Sequence, residues 1–337
     1  MIKKILITGG CGYIGSHTCI ELIAAGYEVV VVDNLCNSSL EALKRVKKLS
    51  GSNIAFYKVD VRNEKALREV FEQHSFDGVI HFAGLKAVGE SVERPVEYYD
   101  NNVGGTFILT KIMQEFDCKT FVFSSSATVY GEPHMVPISE DFPLSATNPY
   151  GRSKLVIEEF LRDVFVSDNN WEVVLLRYFN PVGAHKSGLI GEDPNSVPNN
   201  LMPYISQVAI GKLKKLNVFG DDYNTCDGTG VRDYIHVVDL AKGHVSALKA
   251  LNGPQFLTVN LGTGVGYSVL QVINTFEKCS GKRVPFQIVA RRKGDIGTCY
   301  TNPTFAANKL NWSAEYGLEE MCADTWRWQS KNPNGYL

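Results

Sequence analysis

The first half of the chain alternates short apolar runs with longer amphipathic stretches. Six apolar runs have the length and composition of strands, at residues 5–8, 28–33, 54–60, 78–82, 120–124 and 173–179. Five stretches between them have helical periodicity, at residues 13–25, 40–49, 64–74, 95–116 and 149–166. Strands that alternate with helices are typical of a parallel sheet covered on both faces. The pattern predicts an α/β fold with a doubly wound parallel sheet, whose ligands lie beyond the carboxyl ends of the strands.

This alternation breaks after residue 179. A loop over 180–200 is rich in Gly, Pro, Asn and Asp, and mixed short elements follow it. Helices are predicted near 200–211, 236–251 and 268–281, with short strands near Val218 and at 256–261. We expect a larger domain over 1–179 and a smaller mixed α/β lobe mainly over 180–337. The apolar segment at about 237–245 could return to the first domain, so a strictly linear division is not expected.

A glycine-rich turn follows the first predicted strand and opens the first predicted helix. It contains Gly9, Gly12 and Gly15, the spacing of a Rossmann-type dinucleotide fingerprint. Gly9 permits a tight turn, Gly12 lets the backbone approach a pyrophosphate, and Gly15 allows the helix to pack closely on the strand. The helix N-terminus offers N–H groups to the phosphates. A purely structural turn is the alternative, but the position between strand and helix favours a dinucleotide.

Asp33 ends the second predicted strand, 18 residues after Gly15. A carboxylate at this place accepts hydrogen bonds from both ribose hydroxyls and repels a 2′-phosphate, which favours NAD over NADP. A solvated carboxylate at the end of a strand is the alternative. Two further strand ends fit the same cleft, because Asp60 and Val61 could meet the adenine and the small residues of 82–86 would let a dinucleotide lie against the sheet.

Tyr150 and Lys154 begin the fifth predicted helix and lie four residues apart, on one helix face. The preceding strand ends in three serines, of which Ser126 would hydrogen-bond the same substrate hydroxyl as Tyr150. A neighbouring ammonium and a cationic nicotinamide both favour the phenolate, so Tyr150 becomes a usable general acid and base. By chance, many amphipathic helices carry a tyrosine and a lysine at this spacing. The dinucleotide fingerprint and the serine-rich strand end favour catalysis here.

Composition and charge favour small-molecule chemistry. The net charge is −2 and the pI is about 6.4, so the chain lacks the positive field that nucleic acids and anionic membranes attract. No apolar run approaches the roughly 18 residues that span a bilayer, and the first apolar stretch is too short for a secretory signal. We therefore expect a cytoplasmic protein. The eight cysteines include no CxxC pair and no metal-ligand spacing, which predicts reduced thiols and no metal site.

Together the motifs resemble those of the extended short-chain dehydrogenase/reductase family, and within it the sugar-nucleotide 4-epimerases. The resemblance covers essentially the whole chain and is carried by residues 8–15, 82–91, 123–130, 150–154, 176–184, 228–236 and 291–295. It implies that Ser126, Tyr150 and Lys154 are catalytic. The implied NAD site contains Gly9, Gly12, Tyr13, Ile14, Gly15, Asp33, Asn34, Asp60, Val61, Phe82, Ala83, Gly84, Lys86, Asn101, Ser124, Tyr150, Lys154 and Phe179. The implied UDP-sugar site contains Lys86, Ser126, Tyr150, Asn180, Asn200, Leu201, Asn217, Val218, Phe219, Arg232, Arg292, Asp295 and Cys299.

The chemistry of the second set agrees with this implication. Arg232 and Arg292 are suited to bidentate recognition of a diphosphate, and Asp295 can accept from ribose hydroxyls. Solvated surface arginines are the alternative interpretation.

The resemblance implies an isomerase of galactose metabolism. The reaction is a reversible inversion at C4 of UDP-glucose and UDP-galactose, through a bound 4-keto sugar and NADH, with tightly bound NAD regenerated in each turnover. The resemblance also implies a homodimer, in which the helices that begin at Pro95 and Pro149 in both subunits form a four-helix bundle. Family members that accept 2-acetamido sugars carry a small residue at the place of Cys299, so we expect UDP-GlcNAc and UDP-GalNAc as further substrates. A buried thiol without effect on selectivity is the alternative.

Two rival functions are less well supported by the residues. A sugar-nucleotide 4,6-dehydratase needs an acidic pair after the catalytic strand, and the segment 126–129 contains no carboxylate. A redox sensor or scaffold protein could keep the dinucleotide site while losing Tyr150 or Lys154, but both residues are present.

Overall fold

The computed structural model describes residues 3–195, 197–292 and 295–337, in which strands and helices alternate along the chain. In chain order the strands are β1 (Lys4–Thr8), β2 (Glu28–Val32), β3 (Ala55–Tyr57), β4 (Gly78–His81), β5 (Thr120–Ser126), β6 (Glu172–Tyr178), β7 (Asn180–Val182), β8 (Leu216–Phe219), β9 (Val231–His236), β10 (Gln255–Leu261), β11 (Gly266–Ser268), β12 (Phe286–Val289) and β13 (Thr298–Cys299). The α-helices are α1 (Tyr13–Ala24), α2 (Leu40–Ser50), α3 (Glu64–Gln73), α4 (Val88–Glu93), α5 (Pro95–Tyr98), α6 (Gly105–Glu115), α7 (Pro149–Ser167), α8 (Leu201–Ala209), α9 (Val237–Ala250), α10 (Val269–Ser280), α11 (Thr304–Leu310) and α12 (Leu318–Lys331).

A parallel sheet of seven strands forms the centre of the larger part, in the order β10-β6-β5-β4-β1-β2-β3. The order reverses direction at β1, as in doubly wound sheets that bind dinucleotides at the point of reversal. All six predicted strands are present within a few residues of their expected bounds, and the predicted α/β fold class is confirmed. The third strand is shorter than expected, because the chain turns after Tyr57.

The seventh strand comes from beyond the predicted boundary at residue 179. The sequence places residues 256–261 in the smaller lobe, whereas β10 pairs with β6 along its whole length. The last residues of β10 are buried. A buried apolar strand fits the large covered sheet and the core of a smaller lobe equally well, so the hydrophobic pattern does not distinguish these two locations. Helix α9 also packs on α1 of the larger part, in agreement with the return suggested for about 237–245.

Helices cover both faces of this sheet and give two apolar clusters. Along β1, Ile5 and Ile7 belong to one cluster and Leu6 to the other. On β5, Val122 faces the first cluster while Phe121 and Phe123 face the second. Since both faces are covered, these strands are continuously apolar rather than alternating, which is why the sequence shows them clearly.

The smaller lobe is built on two short sheets. Strand β9 pairs with β7, β11 and β13, and β8 pairs in parallel with β12. A third apolar cluster, which includes Met202, Ile205, Val272, Phe276 and Met321, packs helices α8, α10 and α12 together. Strand β7 begins two residues after the end of β6 and pairs with β9, so the smaller lobe is joined to the carboxyl end of β6.

The helix predicted over 95–116 is interrupted in the structure. Between α5 and α6, residues Tyr99–Gly104 form a π-helical turn in which Asn101 and Asn102 are both buried. Asn102 donates to the carbonyl oxygen of Leu85 at 3.0 Å and accepts from the N–H of the same residue at 2.8 Å. These two hydrogen bonds satisfy the backbone N–H and carbonyl groups of Leu85 in the loop after β4. The π-helical turn therefore has a structural role, because it places Asn102 at this loop. π-Helical turns recur near functional sites.

Three further findings concern the described residues alone. No described helix combines the length and apolarity that crossing a bilayer requires. All eight cysteines lie in the described ranges, and none of them forms a disulfide there. Within the same ranges, no group of three or more His, Cys, Asp or Glu side chains is arranged to hold a metal ion.

Candidate active site

The glycine loop lies between β1 and α1, against the loop that follows β4. Gly9 has a φ of +72°, and a Cβ there would lie 2.7 Å from the backbone nitrogen of Ala83. A Cβ at Gly15 would overlap the carbonyl oxygen of Gly9. In the described part of the chain no side chain caps the start of α1, whose N-cap residue is Gly12. The first N–H groups of α1 can therefore meet an anion.

The first residues of α1 also contact the smaller lobe. The Tyr13 hydroxyl donates to the carbonyl oxygen of Gly183, just after β7, at 2.6 Å. The neighbouring Ile14 packs against the first apolar cluster of the large sheet. The glycine loop is thus tied to both parts of the molecule.

Asp33 follows β2 directly and is only 5 % exposed. Its carboxylate accepts from the N–H of Cys11 at 3.0 Å, from the N–H of Leu35 at 2.9 Å and from the Ser38 hydroxyl at 2.8 Å. The first of these bonds joins the glycine loop to the end of β2. Asp33 therefore stabilises the loop conformation in addition to any contact with a ligand.

Asp60 lies beyond β3, beside the same edge. The Asn34 amide donates to it at 2.9 Å and Arg62 donates at 2.8 Å. The hydrogen bonds from Arg62 hold the pKa of Asp60 well below its ordinary value, so the carboxylate is ionised at neutral pH. Its neighbour Val61 is buried, and a Cβ added at Gly105 of α6 would lie 2.7 Å from the Val61 side chain.

The loop after β4 passes close to Lys154. A Cβ at Gly84 would lie 3.2 Å from Oδ1 of Asn102 and 3.8 Å from Nζ of Lys154. The amide of Asn101 donates to the same Asn102 oxygen at 3.0 Å. At the start of the loop, the Phe82 ring lies 4.7 Å from the ring of His244 in α9. A side chain at position 84 would therefore crowd the Asn102 amide of the π-helical turn, while Lys154 of α7 lies at ordinary contact distance.

The end of β5 and the start of α7 bring the predicted catalytic residues together. Asn148 caps α7 by accepting from the N–H of Gly151 at 2.9 Å, and this fixes where the helix begins. Nζ of Lys154 donates to the carbonyl oxygen of Ser124 at 2.8 Å and lies 5.9 Å from the centre of the Tyr150 ring. The Ser126 hydroxyl accepts from the N–H and the hydroxyl of Thr128 at 3.2 and 3.0 Å, and it lies close enough to Tyr150 to lower the pKa of that phenol.

Burial dominates the pKa of Tyr150 in the chain by itself. The sequence predicts that the Lys154 ammonium and a cationic nicotinamide together favour the phenolate; the protein groups alone raise the pKa of Tyr150 through burial, and the contact with Ser126 opposes the rise. Nζ of Lys154 is held at the Ser124 carbonyl, too far from the phenol to dominate. Burial also lowers the pKa of Lys154 itself to about 8. The groups of the chain alone therefore keep Tyr150 as a neutral phenol near pH 7.

In the smaller lobe, three of the predicted UDP residues contact one another. The Arg292 guanidinium lies 4.7 Å from the centre of the Phe219 ring, and its Nε donates to Asp295 at 2.8 Å. The Arg292 side chain is 50 % exposed. Arg232 lies on β9 opposite Cys299 of β13, and its Nη1 donates to the carbonyl oxygen of Val231 at 2.9 Å. Both arginines belong to the smaller lobe, Arg232 on a strand and Arg292 in a loop. Among the described residues, most of their N–H donors take no part in an ion pair.

Other predicted UDP residues have mixed positions. Asn217 accepts from the Gln287 amide of β12 at 2.7 Å, whereas the Val218 side chain is 1 % exposed inside the third apolar cluster. Only the backbone of Val218 can therefore meet a ligand. Leu201 is the first residue of α8 and partly exposed, and Asn180 begins β7 with an exposed side chain.

Phe179 and Cys299 lie in a fourth, small apolar cluster with Val129, Tyr130 and Ile138. This cluster lies between the end of β5 and β13, so it connects β5 with the smaller lobe. Burial raises the pKa of the Cys299 thiol to about 11. The thiol is therefore neutral and acts as a small apolar side chain.

Glu192, which no sequence motif indicates, contacts two of the predicted site residues. Its carboxylate accepts from Nζ of Lys86 at 3.3 Å and from the Asn200 amide at 3.0 Å. It joins the loop after β4 to the residue that precedes α8, across the two parts of the molecule. No local motif marks Glu192, because it lies in an irregular loop and its two partners are far away in sequence.

Comparison with known proteins agrees with this geometry. The family described as GDP-mannose 4,6 dehydratase matches residues 6–325. A UDP-glucose 4-epimerase of Bacillus subtilis is 62 % identical over 333 residues, which cover 98 % of this chain and 98 % of that protein. The crystal structure of UDP-glucose 4-epimerase from Bifidobacterium longum in complex with NAD+ and UDP superposes with a TM-score of 0.97, at 54 % identity, over 99 % of this chain and 100 % of that chain.

A second crystal structure gives the same result. UDP-glucose 4-epimerase from Stenotrophomonas maltophila, with bound NAD and formylated UDP-arabinopyranose, has a TM-score of 0.96 and 48 % identity over 98 % of this chain and 99 % of that chain. These likenesses extend over both parts of the molecule and include the carboxyl edge of the large sheet. The chain therefore belongs to the family described as GDP-mannose 4,6 dehydratase and, within it, to the UDP-glucose 4-epimerases of the extended short-chain dehydrogenases/reductases.

Proposed function

We propose that this protein is an NAD-dependent isomerase that interconverts UDP-glucose and UDP-galactose, a step of galactose metabolism. The observation that carries the proposal is the meeting of Tyr150, Lys154 and Ser126 at the carboxyl edge of the sheet. This is the edge at which the glycine loop opens, so a dinucleotide and the catalytic residues would share one cleft. The relatives that the chain resembles over its whole length are named for this reaction.

The residues of the larger part fit NAD. The uncapped start of α1 would bind the pyrophosphate, since its first N–H groups point away from the helix. At positions 9 and 15 the surrounding backbone leaves no room for a side chain, so only glycine fits beside this position. Asp33 and Asn34, at the end of β2, would receive the adenosine ribose, and Lys154 and Phe179 would border the nicotinamide.

The chemistry that NAD supplies is removal of a hydride from C4 of the sugar and its return to the opposite face, by way of a 4-keto sugar. Tyr150 would take the proton of the 4-hydroxyl and later return it, with Ser126 hydrogen-bonded to the same oxygen. Because burial keeps the pKa of Tyr150 raised, a positive charge beside the phenol is needed to lower it. Lys154 would hold a ribose hydroxyl and contribute part of that charge.

The smaller lobe would hold UDP while the keto sugar rotates to present its opposite face. Arg232 and Arg292 would bind the diphosphate and Asp295 the uridine ribose. Lys86 and Asn200, which share Glu192 as a partner, lie between the two parts where the sugar would be. A firm hold on UDP matters because the oxidised sugar must stay bound until it is reduced again.

The proposal is tested by two measurements on the purified protein. Denaturation should release NAD or NADH in about equimolar amount, and the native protein should convert UDP-galactose into UDP-glucose without added oxidant. A requirement for stoichiometric oxidant, or a permanently oxidised sugar as product, would exclude the epimerase. Loss of water from the product would instead support a 4,6-dehydratase, the activity in the description of the matched family, although the segment 126–129 lacks the carboxylate this reaction uses.

The substrate range is proposed to include UDP-GlcNAc and UDP-GalNAc. Cys299 is buried beside Phe179 and opposite Arg232, so a larger side chain at this place would reduce the space near the sugar. Cys299→Tyr should abolish epimerisation of the acetamido sugars and preserve that of UDP-glucose. Cys226→Tyr, at an exposed cysteine, is the control. If the unmodified protein does not convert UDP-GlcNAc, this part of the proposal is wrong.

The protein is further proposed to form a homodimer through the helices that begin at Pro95 and Pro149. Val96 is 82 % exposed and Phe107 is 43 % exposed, and the Phe107 ring lies 4.4 Å from that of Phe160 on α7. Exposed apolar side chains on neighbouring helices are typical of an interface. Phe107→Asp should reduce the mass in light scattering to that of a monomer. Phe286→Asp, which changes a phenylalanine of 44 % exposure on β12, should leave a dimer.

A further inference from the structure

Three successive turns of α7 contact the three serines that end β5, residues 124–126. Tyr150, Lys154 and Glu158 are four residues apart and lie on one face of the helix. The phenol of Tyr150 meets the last serine, the ammonium of Lys154 donates to the carbonyl oxygen of the first, and the carboxylate of Glu158 accepts from the hydroxyl of the middle one. The first two contacts involve catalytic residues, whereas Glu158 has no part in the proposed chemistry.

Glu158 and Arg177 of β6 form a buried ion pair, and each residue is 2 % exposed. The guanidinium binds the carboxylate in a bidentate manner, with Nε to Oε1 at 3.0 Å and Nη2 to Oε2 at 2.6 Å. The remaining nitrogen, Nη1, donates to the Tyr130 hydroxyl at 2.8 Å and to the carbonyl oxygen of Glu140 at 3.2 Å. All groups of the pair are thus hydrogen-bonded.

The partners of this pair form one row across the sheet. In the strand register Ser125 of β5 lies beside Arg177 of β6, which lies beside Asn260 of β10. Tyr130 lies just after β5, and its hydroxyl donates to the Asn260 side chain at 2.7 Å. Glu158 therefore attaches α7 to a polar row that is one residue away from Ser126.

Stability alone does not explain a buried ion pair at this place. Replacing such a pair by apolar side chains of similar size is often neutral or stabilising, because both charges lose their hydration on burial. The best-attested use of buried charges is to select one register among several packed arrangements. A hydrogen-bonded pair accepts only one rotation of α7 on β5, whereas apolar side chains accept several.

We infer that Glu158 is a positioning residue for the reaction: through Ser125 and Arg177 it sets the rotation and depth of α7 on β5, and thereby the places of the Tyr150 phenol and the Lys154 ammonium. The inference rests on the proposed function. Since misplacement by about 1 Å can lower a rate by about a hundredfold, a helix free to shift would slow the chemical step while leaving both ligand sites intact.

The decisive variant is Glu158→Leu/Arg177→Met, which removes both charges and keeps apolar volume. We expect kcat for UDP-galactose to fall by about tenfold or more, with KM, the Kd of UDP and the NAD content within about twofold of the unaltered protein. Ser125→Ala, a milder change that keeps the ion pair, should lower kcat by about threefold with the same KM. Glu159→Gln changes the exposed neighbour of Glu158 and serves as the control.

A merely structural role would give a different result. The thermal midpoint would then fall while kcat per NAD-loaded subunit stayed at the control value, and this would overturn the inference. A rise in KM at unchanged kcat would overturn it too. If the double variant does not fold, Ser125→Ala decides, and an unchanged kcat there overturns the inference. An unaltered protein that fails to convert UDP-galactose would instead refute the proposed function, so the two failures are distinguishable.

Discussion

The proposed catalytic edge of the large sheet, with Lys154, and the arginine pair of the smaller lobe, Arg232 and Arg292, hold their charges in opposite ways. Lys154 is 5 % exposed and donates to a backbone oxygen at 2.8 Å, whereas the Arg292 side chain is 50 % exposed and pairs with Asp295. A buried ammonium has few alternative partners, so its place is set before any ligand binds. An exposed ion pair contributes about 0 to 1 kcal/mol, so Arg292 can exchange Asp295 for a diphosphate at little cost.

Under the proposed function, this difference matches two different tasks. Proton and hydride transfer need groups that are fixed before the reaction, because reorganisation would add to the barrier. Recognition of a flexible nucleotide tolerates side chains that change partners on binding. Variants of the first region should therefore change kcat, and variants of the second should change KM.

Tyr150→Phe should have the largest effect. Removal of the proposed acid and base should lower kcat by about a thousandfold, while UDP affinity and NAD content stay the same. Stopped assays with UDP-galactose, together with analysis of the released nucleotide, measure both quantities. Tyr57→Phe is the matched control, because the Tyr57 hydroxyl bonds Gln73 and His74 far from the cleft. Near-normal turnover in Tyr150→Phe would remove the assigned base and, with it, the contrast between the regions.

Arg292→Ala should have an intermediate effect of a different kind. Loss of a charged hydrogen bond to the diphosphate should raise KM by about tenfold to a hundredfold, and kcat should change by less than about threefold. Arg291→Ala is the control, because Arg291 binds Asp222 and stacks on Tyr223 at 4.0 Å. If Arg292→Ala lowered kcat at unchanged KM, the arginine would belong with the catalytic edge.

Lys154→Met should have the smallest effect in free energy, and it concerns folding. Burial lowers the pKa of Lys154 to about 8, so below that pH the folded state carries a poorly hydrated ammonium. Between about pH 8 and pH 10.4 the unfolded chain binds more protons than the folded one, and the free energy of unfolding rises with pH through this window. The methionine variant loses the hydrogen bond to Ser124 but also the buried charge, so it should be more stable by about 1 to 2 kcal/mol at pH 7, and this gain should reverse by pH 10.

Urea denaturation of nucleotide-free protein at pH 7 and pH 10 measures this slope. The exposed Arg292→Ala variant should show the same pH dependence as the unaltered protein, because a guanidinium stays charged throughout this range. A methionine variant with an unchanged pH dependence would mean that Lys154 is hydrated in the folded state.

Hydrophobic patterning predicted the large sheet well because its strands are covered on both faces and read as uninterrupted apolar runs. It predicted the strand at 256–261 but not that this strand joins the large sheet, since pattern alone does not say which sheet a buried strand joins. The π-helical turn at Tyr99–Gly104 was also missed, because Asn102 meets the backbone of Leu85 only in the folded chain. The contact of the Lys154 ammonium with the Ser124 carbonyl could not be predicted either, because it joins α7 to β5 only in the folded chain.

The sequence by itself determined the fold class, the glycine turn and the pair Tyr150–Lys154, because strand length, glycine spacing and the helical repeat are local properties of the chain. Only the tertiary structure decided which distant groups meet: Lys86 and Asn200 at Glu192, and the serine row of β5 with Glu158 and Arg177. These contacts depend on burial and on strand register. Both arise when elements far apart in sequence pack together, so no spacing along the chain encodes them.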